Sequence, residues 1–252
     1  MYHEAEASES SSFSTPGLLN RAWGVAATVL SVLYTLILTT LCVPLAVVAN
    51  GHGVTPLMRL WSWLIFHTCG ISAEIEGLEN LEGAGSVVLV SNHQSLLDIV
   101  AVTKLIPREI RFVAKRELTK VPLVGFVMAR SGNVVIDRTS GGKEIRRALD
   151  AIGHGYSICV FAEGHRFSDN RVHAFSEGAA WLAIATGLPC VPLAISGTAA
   201  LMPRGAKFVV PGRKMRMVLG KPLETKGLKG SDRAELTRRL VAEVRASYRS
   251  EI

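Results

Sequence analysis

Residues 22–50 contain no charged side chain, and no other feature of the chain restricts its architecture as strongly. An apolar helix of about 20 residues is long enough to cross a hydrocarbon core of about 30 Å. The run VLSVLYTLILTTLCVPLAVV is therefore a candidate membrane span, with Pro44 expected to break or kink it. A cleaved secretory signal is the competing explanation, but the run is long for one and ends in no small-residue cleavage site. A second apolar piece, 57–71, carries Arg59, Trp61, Trp63 and His67, a mixture suited to the headgroup level of a bilayer. Together they predict a two-helix membrane anchor over 22–76, either a re-entrant hairpin or one span plus one interfacial helix. The Ser- and Glu-rich residues 1–21 read as a disordered tail.

After Gly77 the texture changes. Short β-rich runs at 86–91, 111–114, 133–136, 157–162 and 190–196 alternate with helical patterns. In the segment 143–152, Ile145, Leu149 and Ile152 recur on one face, and in 232–248 the residues Leu236, Leu240, Val244 and Tyr248 stand four apart. Strands alternating with helices predict an α/β domain over 77–252: a mixed, largely parallel sheet flanked by helices.

The formal charge is +7; Glu4, Glu6 and Glu9 against Arg21 make the first 21 residues −2, so the body carries +9. A basic body suits nucleic acid, an anionic membrane or an anionic substrate. No nucleic-acid-binding signature is present, and 6% aromatic residues offer few stacking platforms, which leaves membrane and substrate. Cys42, Cys69, Cys159 and Cys190 each lie among apolar neighbours with no paired spacing and no histidine cluster. They read as reduced, buried thiols in a protein facing the cytoplasm, with no metal implied.

The run SVVLVS leads into Asn92-His93-Gln94-Ser95-Leu96-Leu97-Asp98. Five residues on a continuous helix are about 140° out of alignment, so His93 and Asp98 can meet only if His93 precedes the helix and Asp98 lies in its first turn. Ser95 through Asp98 has the pattern of a capping-box helix start, which suits that geometry. The same residues are equally explained by a helix cap beside a loop histidine, and alone the spacing favours the cap. The functional alternative is a base held by its carboxylate. An imidazole can take the proton of an attacking hydroxyl at neutral pH if a carboxylate fixes its tautomer. With a thioester donor, already activated, no serine or cysteine nucleophile is needed.

Three further blocks follow in order: 111–118 (RFVAKREL), continuing to Ile136-Asp137-Arg138; 161–168 (FAEGHRFS); and 191–195 (VPLAI). With NHQSLLD they resemble, across about 77–220, the four blocks of the glycerolipid acyltransferase family, which includes lysophosphatidic acid acyltransferases. The resemblance implies that family's fold, with His93 and Asp98 as catalytic pair and Glu163, Gly164 and Arg166 binding the acyl acceptor. Lys115 and Arg138 become candidates for phosphate contact, where a planar guanidinium or an ammonium matches the anion. The implied reaction moves a fatty acyl group from acyl-CoA or acyl carrier protein to the free hydroxyl of 1-acylglycerol-3-phosphate, giving phosphatidic acid. The acyl thioester is a co-substrate, and no separate cofactor is implied. Implied partners are membrane lipids and the lysophospholipid, with the catalytic domain on the cytoplasmic side of the membrane.

Three departures bear on the acceptor. The third block has Ala162 and His165 where proline and threonine are usual, and Glu177 stands where a lysine is common. Another lyso-lipid acceptor, or glycerol 3-phosphate, is thus an alternative. A non-catalytic membrane adaptor is the alternative of another class. A serine hydrolase lacks its G-x-S-x-G elbow.

Overall fold

The computed structural model describes residues 17–48, 53–136, 143–167 and 169–252. Two helices come first, α1 (Leu18–Val48) and α2 (Thr55–Thr68). The sheet and its helices follow as β1 (Ser72–Glu76), β2 (Val88–Ser91), α3 (Leu97–Leu105), β3 (Ile110–Lys115), α4 (Val124–Arg130), β4 (Val134–Ile136) and α5 (Lys143–Gly153). The chain closes with β5 (Ser157–Phe161), α6 (Gly178–Thr186), β6 (Cys190–Ser196), α7 (Thr198–Leu201), β7 (Lys214–Leu219) and α8 (Arg233–Ser247).

The seven strands lie in the order β1-β7-β6-β2-β5-β3-β4, and every neighbouring pair is parallel except β6 with β7. The mixed, largely parallel sheet is as the sequence predicts. β2, β5 and β6 sit centrally, with Val88, Leu89, Val90, Ile158, Cys159 and Val191 buried, because both faces of a parallel sheet are covered. One face packs on α1, α2, α3 and α7, through residues such as Ile65, Phe66, Ala101 and Leu201. The other packs on α5, α6 and α8, through Ala148, Ala180, Leu236 and Leu240. The four cysteines are buried and unpaired, and burial pushes the Cys190 thiol up to about 12.

Three expectations change. Ser72–Glu76, assigned above to the anchor, is the sheet's edge strand β1, paired in parallel with β7. Its exposed Ser72, Glu74 and Glu76 alternate with half-buried Ala73 and Ile75, as an edge strand allows. β7 itself is absent from the sequence reading. Pro44 does not end α1, which continues to Val48. The ring costs the bond to the carbonyl of residue 40, but packing around Cys42 and Ala46 against Val54 and Val127 holds the last turns in place.

Helix α1 is docked along its length. Trp23 Nε1 donates to the Thr68 carbonyl at 2.9 Å, Thr28 Oγ1 accepts from Val209 N at 3.0 Å, and Trp61 Nε1 donates to Thr35 Oγ1 at 2.9 Å. The opposite face exposes Val29, Val32, Leu36, Ile37 and Leu41. Among the described residues α1 is the one helix long and apolar enough to cross a membrane.

Candidate active site

Parallel strands place ligands beyond their C-terminal ends, and the ends of β2, β5 and β3 converge there. β2 runs into Asn92, whose side chain extends the pairing: Nδ2 donates to the Ile195 carbonyl at 2.8 Å and Oδ1 accepts from Ile195 N at 2.9 Å. His93 follows in the loop. Its Nδ1 lies 2.8 Å from Asp98 Oδ2, and its ring stacks on Phe161 with centroids 4.1 Å apart.

Asp98 is fully buried in the first turn of α3. The same Oδ2 accepts from Gln94 N at 2.8 Å and Ser95 N at 2.9 Å, so capping and holding the imidazole are done by one oxygen. Asp98 Oδ1 is buried and has no partner among the described residues. With Nδ1 as donor to the carboxylate, Nε2 is the ring's free lone pair, and it has no protein partner among the described residues. An imidazole so held can accept a proton at Nε2.

Glu163, just past β5, is buried. Its Oε2 accepts from His93 N at 2.9 Å and its Oε1 from His173 N at 3.0 Å. Burial pushes its carboxyl above the usual range, and the two amides only partly offset this. The carboxylate therefore ties the His93 loop to the 169–173 turn. Both oxygens are engaged with backbone and not directed at a ligand. Gly164 makes this turn possible with φ +75°, a left-handed conformation that suits glycine.

His93, Lys115, Glu163, Gly164 and Arg166 line one cavity of about 1550 Å³. Lys115 ends β3, and Arg166 follows the Glu163 turn; neither side chain has an ion pair or hydrogen bond among the described residues. The cavity thus joins a held imidazole to two available cations. Its apolar wall includes Leu38, Leu57, Met58 and Trp61 of the helix pair. Arg138 lies outside the described residues. Among those described, no three His, Cys, Asp or Glu side chains are grouped to hold a metal ion.

Sequence reasoning missed the supports of this loop. Gln94 is fully buried and exchanges hydrogen bonds with the Tyr248 hydroxyl, at 2.8 Å from Nε2 and 3.1 Å to Oε1. Ser95 Oγ donates to the Met202 carbonyl at 2.9 Å. The one available signal was a polar quartet, Ser91 to Gln94, at the end of a buried strand.

Comparison with known proteins bears on the fold and the family. The family model described as Acyltransferase matches residues 72–196, from the first residue of β1 to the last of β6. A chloroplastic 1-acyl-sn-glycerol-3-phosphate acyltransferase of Brassica napus is 31% identical over 171 residues, 66% of this chain and 49% of that protein. The alpha-type 1-acyl-sn-glycerol-3-phosphate acyltransferase of Ovis aries is 30% identical over 203 residues, 78% of this chain and 70% of that protein. The chain belongs to the acyltransferase family. The match spans about half the length of the plant relatives. A crystal structure of the 1-acyl-sn-glycerophosphate acyltransferase PlsC from Thermotoga maritima shares the fold, with a TM-score of 0.71 at 23% identity, covering 91% of this chain and 99% of that one. The matched acyltransferase segment contains His93, Asp98, Lys115, Glu163 and Arg166.

Proposed function

We propose that the protein is a membrane-bound O-acyltransferase that moves a fatty acyl group from an acyl-CoA or acyl carrier protein thioester to the free hydroxyl of 1-acylglycerol-3-phosphate. The observation that carries this is the His93 Nδ1–Asp98 Oδ2 contact of 2.8 Å on the wall of a cavity that also holds Lys115 and Arg166. The acceptor named for the relatives agrees with it.

His93 Nε2 takes the hydroxyl proton as the oxygen attacks the thioester carbon and a C–O bond forms. Asp98 stabilises the resulting imidazolium and keeps it in register. Collapse of the tetrahedral intermediate breaks the C–S bond, and the departing thiolate recovers the proton from Nε2. Lys115 and Arg166 bind the acceptor phosphate, while Glu163 positions the His93 backbone. The acyl chain lies along the helix-pair wall, where each buried methylene contributes about 0.8 kcal/mol.

The phosphate acceptor gains support from Glu177. That anion stands at the start of α6, 3.8 Å from Arg233, and is not on the cavity wall. It therefore adds no negative charge to the wall that holds Lys115 and Arg166. The anchor reading follows from α1: a helix docked from Trp23 to Ala46 has no free stretch of about 20 residues to cross a bilayer alone. On this reading the helix pair lies in one leaflet, with its exposed apolar face in the acyl region.

The test is purified protein in phospholipid nanodiscs, given palmitoyl-CoA and 1-oleoylglycerol-3-phosphate, with phosphatidic acid measured by mass spectrometry. Wild type forms product, and His93→Ala forms none while remaining in the membrane fraction. Turnover by His93→Ala close to wild type would refute the assignment.

A further inference from the structure

A second cavity, of about 450 Å³, lies at the other end of the sheet from His93. It is bounded where three parallel strands begin, by Arg111 of β3, Gly132 and Asn133 before β4, and Tyr156 before β5. The end of α4 at Arg130 and the later turns of α5, from Arg147 onward, close it. Arg111 stands four residues before Lys115 on β3, about 13 Å at roughly 3.3 Å per residue. Arg111, Ser131 and Asn133 border both cavities, but none of the residues assigned above to the reaction lines this one.

Arg111 is only 4% exposed, and its guanidinium carbon lies 3.7 Å from the centroid of the Tyr156 ring. Nη1 donates to the Ile110 carbonyl at 3.2 Å, and Nη2 reaches Glu109 Oε2 at 3.5 Å, a long contact. Nε is buried and has no hydrogen-bond partner among the described residues. A buried guanidinium is costly unless it is paired and its donors are met. One long contact to the partly exposed Glu109 leaves that requirement unfinished.

Gly132 keeps the space beside Nε open. Its φ is +74°, and a Cβ there would stand 3.3 Å from Arg111 Nε and 3.7 Å from Cδ. Glycine adopts this conformation without strain and leaves room for a ligand oxygen at the unmet donor.

The lining suits an anion. The guanidiniums of Arg111, Arg130 and Arg147 and the imidazole of His154 share it with one carboxylate, Asp150. Three guanidiniums against one carboxylate leave two positive charges in excess with His154 neutral. Arg147 Nη1 donates to the Val135 carbonyl at 3.2 Å, and Arg130 lies over the Phe126 ring at 5.3 Å. Guanidinium forks match phosphate oxygens, and a phosphate monoester carries close to two negative charges near pH 7. The volume falls within the ~300–1,000 Å³ usual for a small-molecule site, so a group attached to the phosphate also fits.

We propose that this cavity is a second anion site, taking a phosphate monoester with one oxygen on Arg111 Nε and the others toward Arg130 and Arg147. The site is separate from the catalytic centre and does not rest on the acyl-transfer reading.

The test uses the full chain in phosphatidylcholine nanodiscs at about 0.15 M salt, where exposed charges are screened. The readout is the thermal unfolding midpoint, which a ligand of the folded state raises without any turnover. In one arm glycerol 3-phosphate or inorganic phosphate is titrated. In the other, phosphatidic acid is added to the nanodiscs with no free phosphate present. A rise in the first arm identifies a soluble ligand, and a rise in the second a lipid headgroup. A saturable rise is expected in at least one arm, and it is retained by Lys115→Ser/Arg166→Ser protein, whose catalytic cavity has lost its two assigned cations. Arg130→Ser/Arg147→Ser, at two exposed positions, should weaken binding by about tenfold or more, the loss of one charge-assisted hydrogen bond. Arg111→Gln should do the same where circular dichroism shows it folded, and the double serine variant carries the test where it is not. No rise in either arm overturns the proposal. So does a rise that survives Arg130→Ser/Arg147→Ser and disappears in Lys115→Ser/Arg166→Ser, because the anion then sits beside His93.

Discussion

Replacing Asp98 by Asn separates what this residue does for the fold from what it does for the reaction. Asp98 Oδ2 accepts from His93 Nδ1, Gln94 N and Ser95 N at 2.8, 2.8 and 2.9 Å. An asparagine keeps these three acceptor bonds only with its carbonyl oxygen in the Oδ2 position. That puts its NH₂ where Oδ1 is buried with no partner among the described residues. The loop thus keeps its shape but loses charge assistance, worth about 1 kcal/mol per bond, or roughly 2–3 kcal/mol of stability in all. The reaction loses more. When Nε2 takes the proton, an imidazolium faces a neutral amide instead of a carboxylate. Two unit charges about 4 Å apart attract by roughly 4 kcal/mol at an effective dielectric of about 20. That corresponds to a fall in kcat of about 10³-fold. The assay is thiol release from palmitoyl-CoA at saturating acceptor, beside urea denaturation of the same preparation. A folded Asp98→Asn protein that keeps kcat within about tenfold of wild type would refute the argument, because the carboxylate's charge would then do nothing for the transition state.

Three further outcomes are expected. Burial raises the Glu163 carboxyl, so the folded chain holds its proton more tightly than the unfolded chain, whose reference value is 4.5. Glu163 thus favours the folded state most below that value, and the advantage is lost as pH rises through the raised one. The stability difference between wild type and Glu163→Gln should shrink or reverse from pH 4 to pH 7, read by denaturation across about that interval. Tyr248→Phe removes the hydroxyl that meets Gln94 Nε2 at 2.8 Å and should cost about 1–2 kcal/mol, lowering kcat more than it raises KM, by denaturation and steady-state kinetics. Gly24→Leu places a Cβ 2.4 Å from the Val209 carbonyl oxygen, so α1 must lift from the domain, with a cost of about 1–3 kcal/mol in a thermal shift measured in detergent.

The parts of the fold that were legible in sequence share one property. β2, β5 and β6 are buried on both faces, so each appears as an unbroken apolar run, and α8 shows its buried Leu236, Leu240 and Val244 at helical spacing. β1 and β7 were missed because they lie toward the edge. In β7, buried Met215, Met217 and Leu219 alternate with Lys214, Arg216 and Val218, and methionine carries no strong strand preference. The site divides in the same way. The spacing of His93 and Asp98 restricts their geometry, so their meeting could be worked out. The destination of the Glu163 carboxylate could not, because it depends on the left-handed turn at Gly164 and on two amides, one of them 70 residues away.

The adaptor alternative is weakened by how the loop's polar groups are used. Asn92, Gln94, Ser95 and Glu163 all find protein partners, on β6, at Tyr248, before Pro203 and at two backbone amides. A loop built only to cap α3 needs Asp98 but has no use for an imidazole on a cavity wall. His93 is nevertheless fixed at Nδ1, stacked on Phe161 and, among the described residues, without a partner at Nε2. Ordering a side chain that strongly costs conformational entropy, and a free Nε2 returns nothing to the fold in exchange. Lys115 and Arg166, on the same cavity wall, likewise have no partner among the described residues. An imidazole held in place at a cost to the fold, with Nε2 free in a cavity that also holds cations, is what taking a proton from a bound anionic acceptor requires, and a purely structural loop would gain nothing by keeping it.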